Sequence, residues 1–197
     1  MGTYVEAELD RRHPERVLLR SADPAELRQG WRLLQSDWAA TIARVRAMSA
    51  GTERLRVDDE WSTIETLRHL VFAVDAWFRR RVLGVESPYT PLGIAGPWLE
   101  DDDLPTVQAA LDPTADPTFE EVLSVRAARV AELAGYLDTV DAATLAAPRP
   151  ALETEGWPPH QEGRMVLAAL HVAFNEEWWH HRFAVRDLDA IEAGAGS

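Results

Sequence analysis

Apolar residues recur at spacings of three and four along four stretches of the chain, the period of an amphipathic helix. In the first, Leu27, Trp31, Leu34, Trp38, Ile42 and Val45 follow Asp23-Pro24, an N-cap with proline in the first turn. That helix is predicted to end near Met48, before Gly51. The second opens on a capping box, Ser62-Thr63-Ile64-Glu65, and runs through Leu67, Val71, Val74 and Phe78 to Val82, with Gly84 as the stop. A second capping box, Thr118-Phe119-Glu120-Glu121, begins the third helix, through Val122, Val125, Val130, Leu133 and Leu137 to about Val140. The fourth spans about Gly163 to Ile191, with Leu167, Leu170, Phe174, Trp178, Val185 and Leu188 on one side.

Between these stretches the pattern breaks. Pro88, Pro91, Gly93, Gly96, Pro97, Pro105 and Pro113 punctuate residues 85–116, a loop long enough to cross the fold instead of joining neighbouring ends. A further loop holds Pro148, Pro150, Gly156, Pro158 and Pro159. No strand-like alternation and no internal repeat is present, so the predicted class is all-α, a four-helix bundle with a long crossover loop. Residues 1–22, with a short helix-like run around Val5 and Leu9 and a proline at 14, read as an N-terminal extension to a domain at 23–193. The tail from Gly194 is expected to fray.

Composition narrows the chemistry. Twenty basic residues, all of them arginine, face 33 acidic ones, for a formal charge of -13. That balance disfavours nucleic acid and anionic membranes as partners. The absence of cysteine removes disulfides, thiolate metal sites and a cysteine nucleophile; the absence of lysine removes Schiff-base chemistry. No leader-like segment and no long apolar run appears, so a cytoplasmic protein acting on a small molecule is expected. The run Glu100-Asp101-Asp102-Asp103 lacks the alternation and turn glycine of a calcium loop and reads as solvated. Arg79-Arg80-Arg81 reads as a complement to a helix dipole, His171 as a packing residue, and His13 and His160 as exposed. Trp77, Trp178 and Trp179 read as core before pocket.

Candidate chemistry concentrates in Asn175-Glu176-Glu177-Trp178-Trp179-His180-His181-Arg182. Two carboxylate–imidazole pairs have i,i+4 spacing, Glu176/His180 and Glu177/His181, and either can grip one ion from a single helical face. At about 100° per residue, His181 falls in the middle of the sector marked by the large apolar residues and Glu177 at its edge. Glu176 and His180 fall on the far side, so Glu177/His181 is the expected inward pair. Two readings of it stand side by side: a metal site, or a buried pair that is hydrogen-bonded internally or to an arginine of a neighbouring helix. His69, in Glu65-Thr66-Leu67-Arg68-His69-Leu70-Val71-Phe72-Ala73, sits at the boundary of its helix's apolar surface and is the candidate third ligand. Two histidines and one carboxylate with open positions is a pattern of catalytic metal sites.

The surroundings of His69 and the run Asn175 to Asp189 resemble the DinB-like superfamily, which includes the mycothiol-dependent maleylpyruvate isomerases and the bacillithiol transferases. The resemblance covers about residues 24 to 191. It implies a four-helix bundle holding a divalent ion through one histidine of the second helix and an i,i+4 pair of the last, here His69, Glu177 and His181. A His/His/Glu donor set suits zinc as the first expectation, with nickel, iron or manganese as alternatives, and the resemblance further implies a low-molecular-weight thiol as cosubstrate. A homodimer is within what the resemblance allows. The activity so implied is a metal-dependent thiol transferase or isomerase acting on a small electrophile. A metal-dependent hydrolase and a non-catalytic metal-binding bundle are the alternatives.

Overall fold

Asp23 accepts a hydrogen bond from the Ala25 amide at 2.8 Å and so opens the first long helix at Pro24. The computed structural model describes residues 2–96, 99, 105–108, 110–159 and 162–195. The helices, in chain order, are α1 (Gly2–Arg12), α2 (Pro14–Leu19), α3 (Pro24–Ala47), α4 (Thr63–Val74), α5 (Pro105–Gln108), α6 (Phe119–Thr139), α7 (Ala142–Leu145) and α8 (Val166–Ala195). A 3-10 turn at Thr52–Arg54 lies between α3 and α4. Among the described residues helix accounts for 64%, and no strand is present. The expected all-α class is therefore observed. No helix among the described residues is long and apolar enough to cross a membrane.

Both capping boxes form. Glu65 accepts from the Ser62 amide at 2.9 Å and from its hydroxyl at 2.7 Å, and Glu121 accepts from the Thr118 amide at 2.8 Å. The second helix departs from expectation beyond Val74. Asp75–Arg80 continue it as a π-helical turn, and the Leu83 amide reaches back to the Phe78 carbonyl at 3.0 Å. Gly84, at φ 73°, then stops it.

The four long helices pack in a ring: α3 touches α6 and α8, and α4 touches α6 and α8. Side-chain pairs fix their directions. Arg28 at the start of α3 bonds the Leu137 carbonyl near the end of α6, while Arg46 at the end of α3 pairs with Glu120, so α3 and α6 are antiparallel. Trp31 meets Phe174 and Arg44 pairs with Glu192, so α3 and α8 run together. Arg129 and Arg79 join Asp75 and Glu132, so α4 and α6 run together. The segment between α4 and α6 must therefore return along the length of the helices, about 30 Å for a helix of 21 residues. That is the expected crossover.

This crossover is held against α4 by directed contacts. Arg68 donates to the carbonyls of Leu92 and Ala115 at 2.8 and 2.9 Å, and Arg79 to that of Pro88 at 3.0 Å. Phe72 carries a second small core with Leu99 and Val107, and stacks on Tyr89 and Trp157. Arg80 and Arg81 are buried, Arg80 donating to the carbonyls of Glu86 and Thr154. Arg79 and Arg80 thus sit in the last turn of the helix, where their charge complements its end, and also staple loops. The N-terminal extension is helical and packs on its own bundle. Arg16 lies over the Trp178 ring, and the Trp178 indole donates to Glu15 at 3.1 Å. His13 meets the edge of the same ring, so it is half-buried and not free in solvent. The run Glu100–Asp103, His160 and the tail residues Gly196 and Ser197 lie outside the described residues.

Candidate metal centre

His69, Glu176 and His180 come together between α4 and α8, each offering one ligand atom, all within 4.8 Å of one another. Oε2 of Glu176 lies 3.2 Å from Nε2 of His69 and 3.3 Å from Nε2 of His180. Burial is graded across the cluster. His69 is 1% exposed, while the Glu176 and His180 side chains are 22% and 17% exposed, so one side is closed and the other open.

The orientation of His69 is set from behind. Its Nδ1 lies 3.0 Å from the Ile94 carbonyl oxygen, which can only accept, so Nδ1 is the protonated nitrogen. The other nitrogen, Nε2, is thereby left to face Glu176 with its lone pair. Two imidazoles and a carboxylate that converge in this way require a positive species among them, a proton or a metal cation. An imidazole whose far nitrogen is tied to a backbone carbonyl is a recurrent second layer of metal sites. The donor set thus fits a divalent ion. Without a metal, the proton shared with the carboxylate sits on an imidazole: burial alone would raise the Glu176 pKa, but His180 and His69, when protonated towards it, outweigh that and lower it to about 2.

Trp61 closes one wall. Its ring is stacked on His180 at 6.0 Å and lies 4.8 Å from His69. The loop that delivers it is bent through two consecutive left-handed residues, Asp58 and Asp59, at φ 52° and 61°. Such backbone costs energy in a residue with a Cβ, and aspartate tolerates it better than most. Trp179 and Phe183, stacked at 6.0 Å, line the cleft as well. Together with Thr66, Gly96 and Asn175 they enclose a cleft of about 690 Å³ with the cluster on its lining.

Glu177 and His181, the expected partners of His69, are not at this cluster. Glu177 is 1% exposed and pairs with Arg126 of α6 at 2.5 Å, while Gln35 lies 3.4 Å away. Burial pushes its pKa up, and the Arg126 charge opposes that shift. His181 shares a 2.9 Å hydrogen bond with the Thr41 hydroxyl and packs edge-on against Trp38; burial lowers its pKa. This is the alternative reading of the pair, a buried carboxylate met by an arginine from a neighbouring helix.

The displacement has a simple cause. Large apolar residues alone define the expected sector, but Val166, Ala169, Ala173 and Ala184 are buried as well. Counting them rotates the centre of the stripe by roughly 40°. Glu177 then lies at its middle, and Glu176 and His180 move from the solvent side to its flank. A flank position suits a site that must be both held and reached. Trp178 is core, Trp179 lines the cleft, and Trp77 packs half-buried against Trp157. His171, half-buried, reaches the Ser21 carbonyl at 2.9 Å.

A helical fold with a His/His/Glu cluster at the wall of a cleft defines a candidate metal-binding bundle. The chain belongs to the DinB superfamily, whose profile matches residues 33–184 and so takes in all three cluster residues. No curated protein and no solved structure matches it.

Proposed function

We propose that this protein holds a divalent metal ion through His69, Glu176 and His180 and uses it to activate a low-molecular-weight thiol of the mycothiol kind against a small electrophile. The observation that carries the reading is the open side of the cluster, which faces an aromatic cleft of about 690 Å³. Three protein ligands leave coordination positions free, as catalytic sites require. When bound, the ion supplies Lewis acidity, lowering the pKa of a coordinated thiol and polarising a carbonyl. Nitrogen and oxygen donors in this ratio suit zinc first, then nickel, iron or manganese.

The chain's own residues have the remaining tasks. Ile94 fixes the His69 tautomer, Trp61 covers two imidazole faces, and Trp179 and Phe183 exclude water from one side. The protein has no cysteine, so the sulfur must arrive with a cosubstrate. A free thiol of this kind persists in a reducing compartment, which points to the cytoplasm.

The test is to load the protein with cobalt and add mycothiol or a simpler thiol while recording the visible spectrum. A new sulfur-to-cobalt band supports the reading. An unchanged spectrum overturns it, and turnover of an ester or amide without thiol assigns hydrolysis instead.

A further inference from the structure

We infer that the cleft selects a substrate whose far end is an amine-bearing aromatic group and discriminates against one that carries an anionic group there. The inference deepens the proposed function and rests on that reading of the cleft as the substrate site. It follows from how the mouth is built. Asp59, Glu60 and Asp187 line it beside the aromatic walls of Trp61, Trp179 and Phe183.

The two guanidinium groups nearby are already committed. Arg56 is bound through two nitrogens to Glu65, with its Nε at 3.0 Å. Arg186 bridges Glu60 and Asp187, its Nε donating to Asp187 at 2.8 Å, and lies over the Phe183 ring at 5.4 Å. An arriving carboxylate would find no free cationic side chain among the described lining residues, and would meet Asp59 within a negative field. A ring bearing an ammonium group, by contrast, can stack against Trp61 or Trp179 and place its charge towards Asp59. The field survives loading with a divalent ion. Glu65, Asp59, Glu60, Asp187 and Glu176 count five negative charges against two arginines and the ion's two positive charges.

The probes are phenethylammonium, 2-phenylethanol and phenylacetate, which share one ring and differ in charge. Their binding to the full chain is measured by calorimetry or ligand-observed NMR, with the metal chelated away and again with zinc added. The expected result on the metal-free protein at low salt is a preference of about fivefold for phenethylammonium over phenylethanol, with phenylacetate weakest, shrinking in high salt. Asp59→Asn combined with Glu60→Gln should remove most of that preference, and asparagine is at home in the left-handed backbone of position 59. The inference is overturned if phenylacetate binds the metal-free protein as tightly as phenethylammonium, or if phenethylammonium does not bind at all. Because the decisive arm contains no metal, its failure is distinct from a failure of the cobalt–thiol experiment.

Discussion

His69 and Ile94 are joined by a hydrogen bond of 3.0 Å from the imidazole Nδ1 to the backbone carbonyl. This one contact ties the candidate centre to the crossover segment, since Ile94 belongs to the chain between α4 and α6 and its amide returns to the Arg68 carbonyl. The crossover therefore orients a ligand as well as connecting two helices.

Gly93 offers a way to disturb that orientation without touching a ligand. A Cβ there would lie 3.1 Å from Leu111 Cδ2, 3.3 Å from the Thr90 carbonyl and 3.4 Å from Phe72 Cβ. Gly93→Ala should shift the Ile94 carbonyl and weaken zinc binding about tenfold, the scale of a second-layer defect. Competition with a chromophoric chelator measures this, and unchanged affinity would detach the crossover from the site.

The Arg126–Glu177 pair makes a different prediction. Arg126→Met strands a carboxylate that is 1% exposed and whose Oε1 already lacks a hydrogen-bond partner. The expected loss in urea denaturation is about 3–5 kcal/mol, with metal stoichiometry unchanged. Glu177→Gln should be milder, because it removes the charge whose burial is costly. A loss of metal in either variant would return Glu177 to the centre.

Asp75 is wholly buried at the π-helical turn, and burial pushes its pKa up to about 6 despite Arg129 and Arg79. A carboxyl group raised in the folded state binds its proton more tightly there than in the unfolded chain. Its contribution is thus full below the unfolded value of 3.8 and is lost as the pH rises through about 6. Asp75→Asn should flatten the stability–pH curve across that window by about 2–3 kcal/mol. Thermal melts from pH 4 to 7 would show it, and parallel curves for the two proteins would refute it.

Gly30 tests the seat of the extension. A Cβ at this position would sit 2.9 Å from Leu18 Cβ and 3.0 Å from the Leu19 backbone nitrogen. In an open helix Gly→Ala gains about 1 kcal/mol, but the overpacking here costs about 1–3 kcal/mol, and a backbone atom cannot rotate away. Gly30→Ala should lower Tm by a few degrees; a rise would mean that α2 yields freely.

The caps made three of the four long helices legible from sequence, because Asp23, Ser62/Glu65 and Thr118/Glu121 act locally, whatever the tertiary context. Prolines marked the crossover for the same reason. The π-helical turn at Asp75 has no residue signature, since its i→i+5 bonding depends on packing around it. At the site, His69 was readable as a ligand candidate and the i,i+4 motif as its partner. Choosing between the adjacent pairs required knowing that Ala169, Ala173 and Ala184 are buried, and alanine contributes little to an apolar pattern. The Ile94 carbonyl was out of reach altogether, being a backbone atom brought in from 25 residues away.

Metal content distinguishes His69, Glu176 and His180 as the ligand set from one that uses His181. Wild type, His69→Ala, Glu176→Ala, His180→Ala and His181→Ala are to be purified without chelators, loaded with zinc, desalted and analysed for bound metal per chain. About one ion is expected in wild type and in His181→Ala, and at least a tenfold weaker hold in the other three. Metal retained in His180→Ala and lost in His181→Ala would contradict this ligand set.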